Sequence, residues 1–352
     1  MAKSWGAFIV VTGAVSCAML LGIACLPDYA FGVAGPGGSE TGPAVDGGAE
    51  GATEGGPRLD ASSDAADGGI PIFDAAGTAR LDPTDGGAFS FRIDRTGGGA
   101  TVVGGKLTYP FAIDKLEVTV GRYRDWLENH HTLPNDAASL DPGGPQAAAM
   151  TWHDSWKAGL VPPIGNCSNG PADYGQPSTL GRGIPDLPVT CVSWYDAVAF
   201  CASEGKRLPT ELEWMFTVTS RGNNYYFPWT PSQSPALDCQ HQIFDIGGDA
   251  STQGGNCDFL NAGPALQGGT QQGVLDMSGR AFEWIWDIGE EFPEFPSANY
   301  AGPSGTDLSL PRVRRGGAFN SNDQYLQNWA RQTGFSAKEA YGDLGFRCAK
   351  SL

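Results

Sequence analysis

The side chains with the richest chemistry in this chain are eight cysteines and four histidines. Cys17 and Cys25 lie in an apolar N-terminal run, leaving Cys167, Cys191, Cys201, Cys239, Cys257 and Cys348. No C-x-x-C pair occurs, and His130, His131, His153 and His241 stand in no ligand-spaced pair with these cysteines. An even set in an exported chain reads as disulfides rather than as a metal centre, and many pairings are open. Nearness in sequence joins Cys167 to Cys191 and Cys239 to Cys257. If the even set is wholly disulfide-bonded, no thiolate is spare for redox work. No serine or histidine sits in a nucleophile context, and Gly97 to Gly99 follow no strand-to-helix pattern that would cradle a phosphate.

A second constellation spans residues 320–329: Asn320, Ser321, Asn322, Asp323, Gln324, Tyr325, Gln327, Asn328 and Trp329. Short amides with two aromatics make an adaptable polar recognition surface, although an ordinary solvated loop has the same composition. Arg312, Arg314 and Arg347 flank the Gly316-Gly317 pair and the final stretch, and are read as internal ion-pair partners. Gly316 and Gly317 call for positive φ.

Three helices position these groups. Ser193 is an N-cap with Asp196 three residues on; Ala197, Val198, Phe200 and Cys201 form its apolar face, and Gly205 ends it. Thr210 and Glu213 form a T-x-x-E capping box ahead of Trp214 and Phe216. Thr119 caps a helix expected over 120–129. Elsewhere Gly and Pro interrupt the chain every few residues. Trp194, Trp214, Trp229, Trp284 and Trp286 are expected in an aromatic core. The class is a loop-rich α+β domain.

Composition divides the chain. Residues 28–87 hold 11 acidic and 2 basic side chains and few apolar ones, contributing −9 of the formal −17. Such a segment buries too little apolar surface to offset its ordering entropy and is expected to be a self-repelling linker. The expected boundaries are a signal at 1–25, a linker at 26–87 and a domain at 88–352. Residues 5–24 are apolar and approach the length of a bilayer span, but small residues before Cys25 favour a cleaved signal. Leu21-Gly22-Ile23-Ala24-Cys25 resembles a bacterial lipoprotein signal with Cys25 lipidated. This places the protein in the cell envelope, its membrane contact limited to that anchor or signal. Without a Lys/Arg run beyond Arg312, Arg314 and Arg315, nucleic acid is excluded as a partner.

Five segments, in order, carry a family resemblance: FAIDKLEVTVGRYRDWLE (111–128), PVTCVSWYDAVAFCASEGKRLPTELEW (188–214), GVLDMSGRAFEW (273–284), RVRRGGAFN (312–320) and LGFRCA (344–349). Together they resemble the formylglycine-generating enzyme family, or sulfatase-modifying factor domain. The resemblance implies a loop-rich α+β fold related to the C-type lectin fold, and a disulfide between Cys201 and Cys348. It also implies two copper(I)-binding cysteines after the Arg-Gly-Gly turn, where this chain has Ser321 and Leu326. Ala318 replaces a serine, Asn322 and Asp323 replace further active-site residues, and Tyr325 keeps its type. Copper is therefore not expected. A branch using a three-histidine iron site needs a helical domain for which this chain has no counterpart.

The family's structural calcium makes Asp276 and Glu283 candidate ligands, with Asp287, Asp245, Asp249 and Asp258 behind them. Arg280, however, stands where an asparagine is usual, and Glu283 has an alternative reading as partner of Arg280 or Arg315. The expectation is a catalytically degenerate domain, without cofactor unless calcium binds. It would take a protein, peptide or glycan ligand at 320–329. The competing expectation is an oxidase of protein cysteine.

Overall fold

Alternating apolar residues build the first strands of the computed structural model. These are β1 (Thr78–Leu81), β2 (Ala88–Asp94), β3 (Ala100–Lys106) and β4 (Phe111–Asp114). In β2, Phe89, Phe91 and Ile93 point inward while Arg92 lies on the other face, the period-two signature of a half-buried strand. The structure describes residues 77–83, 85–94, 99–160, 179–232, 238–242, 257, 264–302 and 310–352, all within the compact unit Ala65–Leu352.

Capping chemistry sets the helices. α1 (Val120–Asp125) starts at Thr119, whose hydroxyl accepts from the Arg122 amide. It runs into a π-helical turn, Trp126–His130, so the expected single helix changes pitch halfway. A short α2 (Thr179–Arg182) precedes α3 (Trp194–Ser203) and α4 (Glu211–Val218). Ser193 with Asp196, and Thr210 with Glu213, each close a complete capping box. Such a cap contributes about 1 kcal/mol. Gly205, just past α3, has φ +68, as its C-terminal stop requires.

The C-terminal half supplies β5 (Phe282–Ile288), β6 (Pro311–Arg315), the one-turn α5 (Asp323–Leu326), β7 (Gln332–Ser336), β8 (Leu344–Gly345) and β9 (Ala349–Ser351). The strands form a β1-β4-β9 sheet, a β2-β3 hairpin and a four-stranded sheet ordered β7-β6-β5-β8. Among the described residues, β5 and β8 are the only strands that pair in parallel. Every residue of β5 is buried, as befits a strand covered on both faces.

One core cluster gathers Trp152, Trp156, Trp194, Trp284 and Trp286; the other joins Phe89, Phe111, Trp214, Phe216 and Val313. Trp229 belongs to neither and is half-buried, stacked beside Phe227 and His241, which corrects its expected core position. Disulfides Cys201–Cys348 and Cys239–Cys257 form as expected. Cys191 is disulfide-bonded; Cys167 lies outside the described residues, as do Asp245, Asp249 and Asp258. The expected boundary at 88 also needs correcting. β1 pairs along its length with β4 from Thr78↔Asp114 to Leu81↔Phe111, so ordered structure begins inside the stretch read as linker. No helix among the described residues is long and apolar enough to cross a membrane.

Candidate functional site

The Gly316-Gly317 turn organises the surface read as a recognition loop. Their φ values are +94 and +73, and a Cβ on Gly317 would meet Leu326 Cδ2 at 2.8 Å and the Tyr325 carbonyl oxygen at 2.9 Å. The chain after the turn therefore folds back onto it, a close approach only glycine permits. Gly316 O accepts from the Gly279 amide at 2.8 Å, and Phe319 N donates to Arg280 O at 3.1 Å, anchoring the turn to the segment before β5.

Beyond the turn, Ser321 looks inward. Its Oγ accepts from the Ala318 amide at 2.9 Å and its own amide donates to Ala318 O at 2.9 Å, closing a small turn. Ser321 is buried, as is Ala318. Leu326 is 1% exposed, and its carbonyl lies 2.7 Å from Ser278 Oγ. Between them α5 turns Asn322, Asp323, Gln324 and Tyr325 outward to solvent, while Asn320, Gln327 and Trp329 are half-buried.

Asn328 departs from the expectation. It is buried, its Nδ2 lies 3.2 Å from Tyr225 O and 3.4 Å from Val218 O, and its amide donates to Tyr226 O at 2.8 Å. It ties the loop to the segment after α4 and is not presented to a ligand. Trp329 O accepts from the Asp94 amide at 3.1 Å, which ties the same loop to β2. Its ring meets Tyr226 edge-on at 4.6 Å, and the Arg92 guanidinium lies 4.4 Å over Tyr226. Sequence reasoning missed Arg92 and Tyr226, because only the fold brings them to Trp329.

Behind the loop lies a buried charge network. Glu211, at the start of α4, receives Arg315 through Nε at 2.8 Å and through Nη2, and Arg331 at 2.8 and 3.0 Å. Burial acts to raise the Glu211 carboxyl, but the two guanidiniums outweigh it and hold it below its usual range. Asp287 Oδ2 accepts from the Glu211 amide at 2.7 Å, and Oδ1 has no hydrogen-bond partner among the described residues. Burial first, and then the Glu211 charge, push Asp287 up to about 8.

The calcium candidates face guanidiniums. Glu283 takes Arg347 Nε and Nη2 at 2.8 and 2.7 Å and Trp214 Nε1 at 3.0 Å, which corrects the pairing with Arg280 or Arg315. Asp276 Oδ1 accepts from the Ala265 amide at 2.8 Å, and its Oδ2 lies 3.8 Å from Arg280 Nε. Burial raises the Asp276 carboxyl, partly offset by Arg280. With Arg347 and Arg280 held against them, these two carboxylates do not fit a shared calcium site. Nor do a turn-closing hydroxyl and an aliphatic chain fit copper(I), which wants soft ligands. Of the flanking arginines, Arg347 is an ion-pair partner as expected, and Arg314 lies 3.8 Å from Asp343. Arg312 packs instead 3.8 Å over Trp194 and donates to Trp286 O.

The sulfatase-modifying factor enzyme 1-like domain matches residues 83–352. A Bos taurus protein named formylglycine-generating enzyme is 33% identical over 172 residues, covering 47% of this chain and 44% of that protein. The chain thus aligns with less than half the length of that relative. A Mus musculus protein named inactive C-alpha-formylglycine-generating enzyme 2 is 33% identical over 262 residues, covering 69% of this chain and 75% of the relative. The solved structure of PvdO from Pseudomonas aeruginosa superposes with TM-score 0.50 at 18% identity, over 82% of this chain and 100% of that one. That likeness concerns fold alone: an α+β fold of the formylglycine-generating-enzyme type, related to the C-type lectin fold.

Proposed function

The chain belongs to the sulfatase-modifying factor enzyme 1-like family, and from that premise we propose a catalytically degenerate member that binds a partner or ligand through residues 320–329. One observation carries the reading. The two positions where the resemblance expects copper-binding thiolates hold a hydroxyl spent on closing a turn and a side chain buried in the core, while Asn322, Asp323, Gln324 and Tyr325 between them face solvent. The scaffold persists, and the exposed residues have the amide-and-aromatic character of adaptable recognition surfaces. The name of the murine relative, an inactive protein of this type, supports degeneracy within the family. The protein is exported and held at the cell envelope by lipid on Cys25, a reading supported by the apolar run ahead of that residue and by disulfides characteristic of oxidising compartments.

The test is crosslinking capture from envelope fractions with the full chain, beside a variant with Asn322, Asp323, Gln324 and Tyr325 all changed to Ala. The reading predicts a saturable partner lost in the variant, whose melting temperature stays near that of the parent because the four side chains are exposed. Capture unaffected by the four changes, or thiol-dependent oxygen uptake by the parent, contradicts it.

A further inference from the structure

At the edge of that loop, Arg92, Tyr226 and Trp329 come together from three separate segments. The Arg92 guanidinium is 4.4 Å from the Tyr226 ring centroid and 5.9 Å from that of Trp329, and the two rings meet edge-on at 4.6 Å. All three residues are half-buried, so each keeps some surface in contact with solvent. The segments that carry them are tied together by backbone hydrogen bonds. Asp94 N donates to Trp329 O at 3.1 Å, and Asn328 N donates to Tyr226 O at 2.8 Å. The trio is therefore preorganised, and little ordering entropy remains for a ligand to overcome.

Arg92 also differs from most arginines of this domain. Arg122, Arg207, Arg280, Arg315, Arg331 and Arg347 each lie against a carboxylate. Among the described residues no carboxylate pairs with Arg92, whose guanidinium lies instead against the two rings. A planar guanidinium stacked on an aromatic ring keeps its edge donors available for a two-oxygen anion.

We propose that Arg92, Tyr226 and Trp329 form a subsite for an acidic saccharide, one whose pyranose ring carries a carboxylate or a sulfate. The proposal rests on the ligand-binding reading above and deepens it. Arg92 receives the anionic group, the rings of Tyr226 and Trp329 offer apolar surface to the sugar C–H face, and neighbouring Gln327 offers an amide to hydroxyls. An acidic peptide could also pair with Arg92, but the flat C–H face of a pyranose is the better match for ring carbon set directly beside the guanidinium. The formal charge of −17 works against long polyanions, so the site suits one or two acidic sugars at a chain end.

Calorimetric titration of the full chain decides it. The probes are a uronate-bearing hexasaccharide, a sulfated but uronate-free one, a neutral one of equal length and an acidic peptide of matched charge. The expected result is saturable binding of one of the two acidic saccharides, naming carboxylate or sulfate as the anion. Arg92→Ala and Trp329→Ala should each weaken it at least tenfold, and Arg92→Lys less, with melting temperatures near the parent's for the two Arg92 variants. Binding that Arg92→Ala leaves unchanged, binding of the neutral sugar with equal strength, or binding of the peptide alone overturns the saccharide assignment. The loop reading survives those outcomes if capture still depends on residues 322–325. It falls, separately, if capture ignores them.

Discussion

Replacing Glu283 with Gln removes one charge from the middle of the domain without changing its shape. Glu283 and Arg347 are both fully buried, joined by contacts of 2.7 and 2.8 Å. Arg347 also donates to Leu275 O at 2.9 Å, Asp114 O at 3.1 Å and Lys115 O at 3.2 Å, so it is fixed in place and cannot swing out to water when its partner is neutralised. Trp214 Nε1 can still donate to the Gln oxygen. What remains is a guanidinium in the core stripped of the carboxylate it contacts, a loss of about 3–5 kcal/mol. At about 2–4 °C per kcal/mol for a domain of this size class, the melting temperature should fall by about 6–20 °C. Calorimetric or fluorescence melts of parent and Glu283→Gln, each with excess calcium and with chelator, read both the size and the cause. The same fall in both solutions, with a parent indifferent to chelation, is the expected result. A parent that loses stability on chelation, and a variant that no longer responds, would return Glu283 to the role of calcium ligand and refute the reasoning.

Three further outcomes follow from buried groups. Asp287 is held near pKa 8 in the fold, above its unfolded value near 4, so the native state binds more protons than the unfolded state in between. Stability should therefore fall as pH rises from about 4 to 8, by up to about tenfold in the folding equilibrium per unit. Asp287→Asn should flatten that slope in denaturant titrations at pH 5 and 8, and a slope unchanged in the variant would count against this origin. Cys201 and Cys348 close a loop with sequence separation 147, so changing both to Ser should cost about 5 kcal/mol, visible as a lowered denaturant midpoint. Leu326→Ala, at a 1% exposed site, should cost about 2–5 kcal/mol. A loss below about 1 kcal/mol would mean that Leu326 is not core.

Legibility in the sequence followed the range of the interactions. The capping boxes at Ser193 and Thr210 were readable because both partners lie three residues apart, and the fold forms both. Glycine at 316 and 317 announced its turn for the same local reason. β1 escaped notice because four residues amid acidic, glycine-rich sequence gain their strand character only by pairing with β4. Asn328 has the same amide as Asn322, yet one is buried on backbone carbonyls and the other faces water. Composition carries no information about which. Glu283 was legible as an ion-pair partner, but the choice of Arg347 over Arg280 or Arg315 depends on β8, two residues ahead of Arg347, pairing with β5. The platform of Arg92, Tyr226 and Trp329 is assembled wholly by tertiary contacts, and no local pattern signals it.

The most direct measurement is a competitive copper(I) titration of the disulfide-intact chain against a chromophoric chelator, with oxygen uptake followed in the presence of a cysteine peptide. A scaffold whose turn holds Ser321 and whose core holds Leu326 should take up no stoichiometric copper(I) and consume no peptide-dependent oxygen. One tightly held equivalent that Ser321→Ala abolishes, together with oxidation of the peptide thiol, would contradict the account at its root.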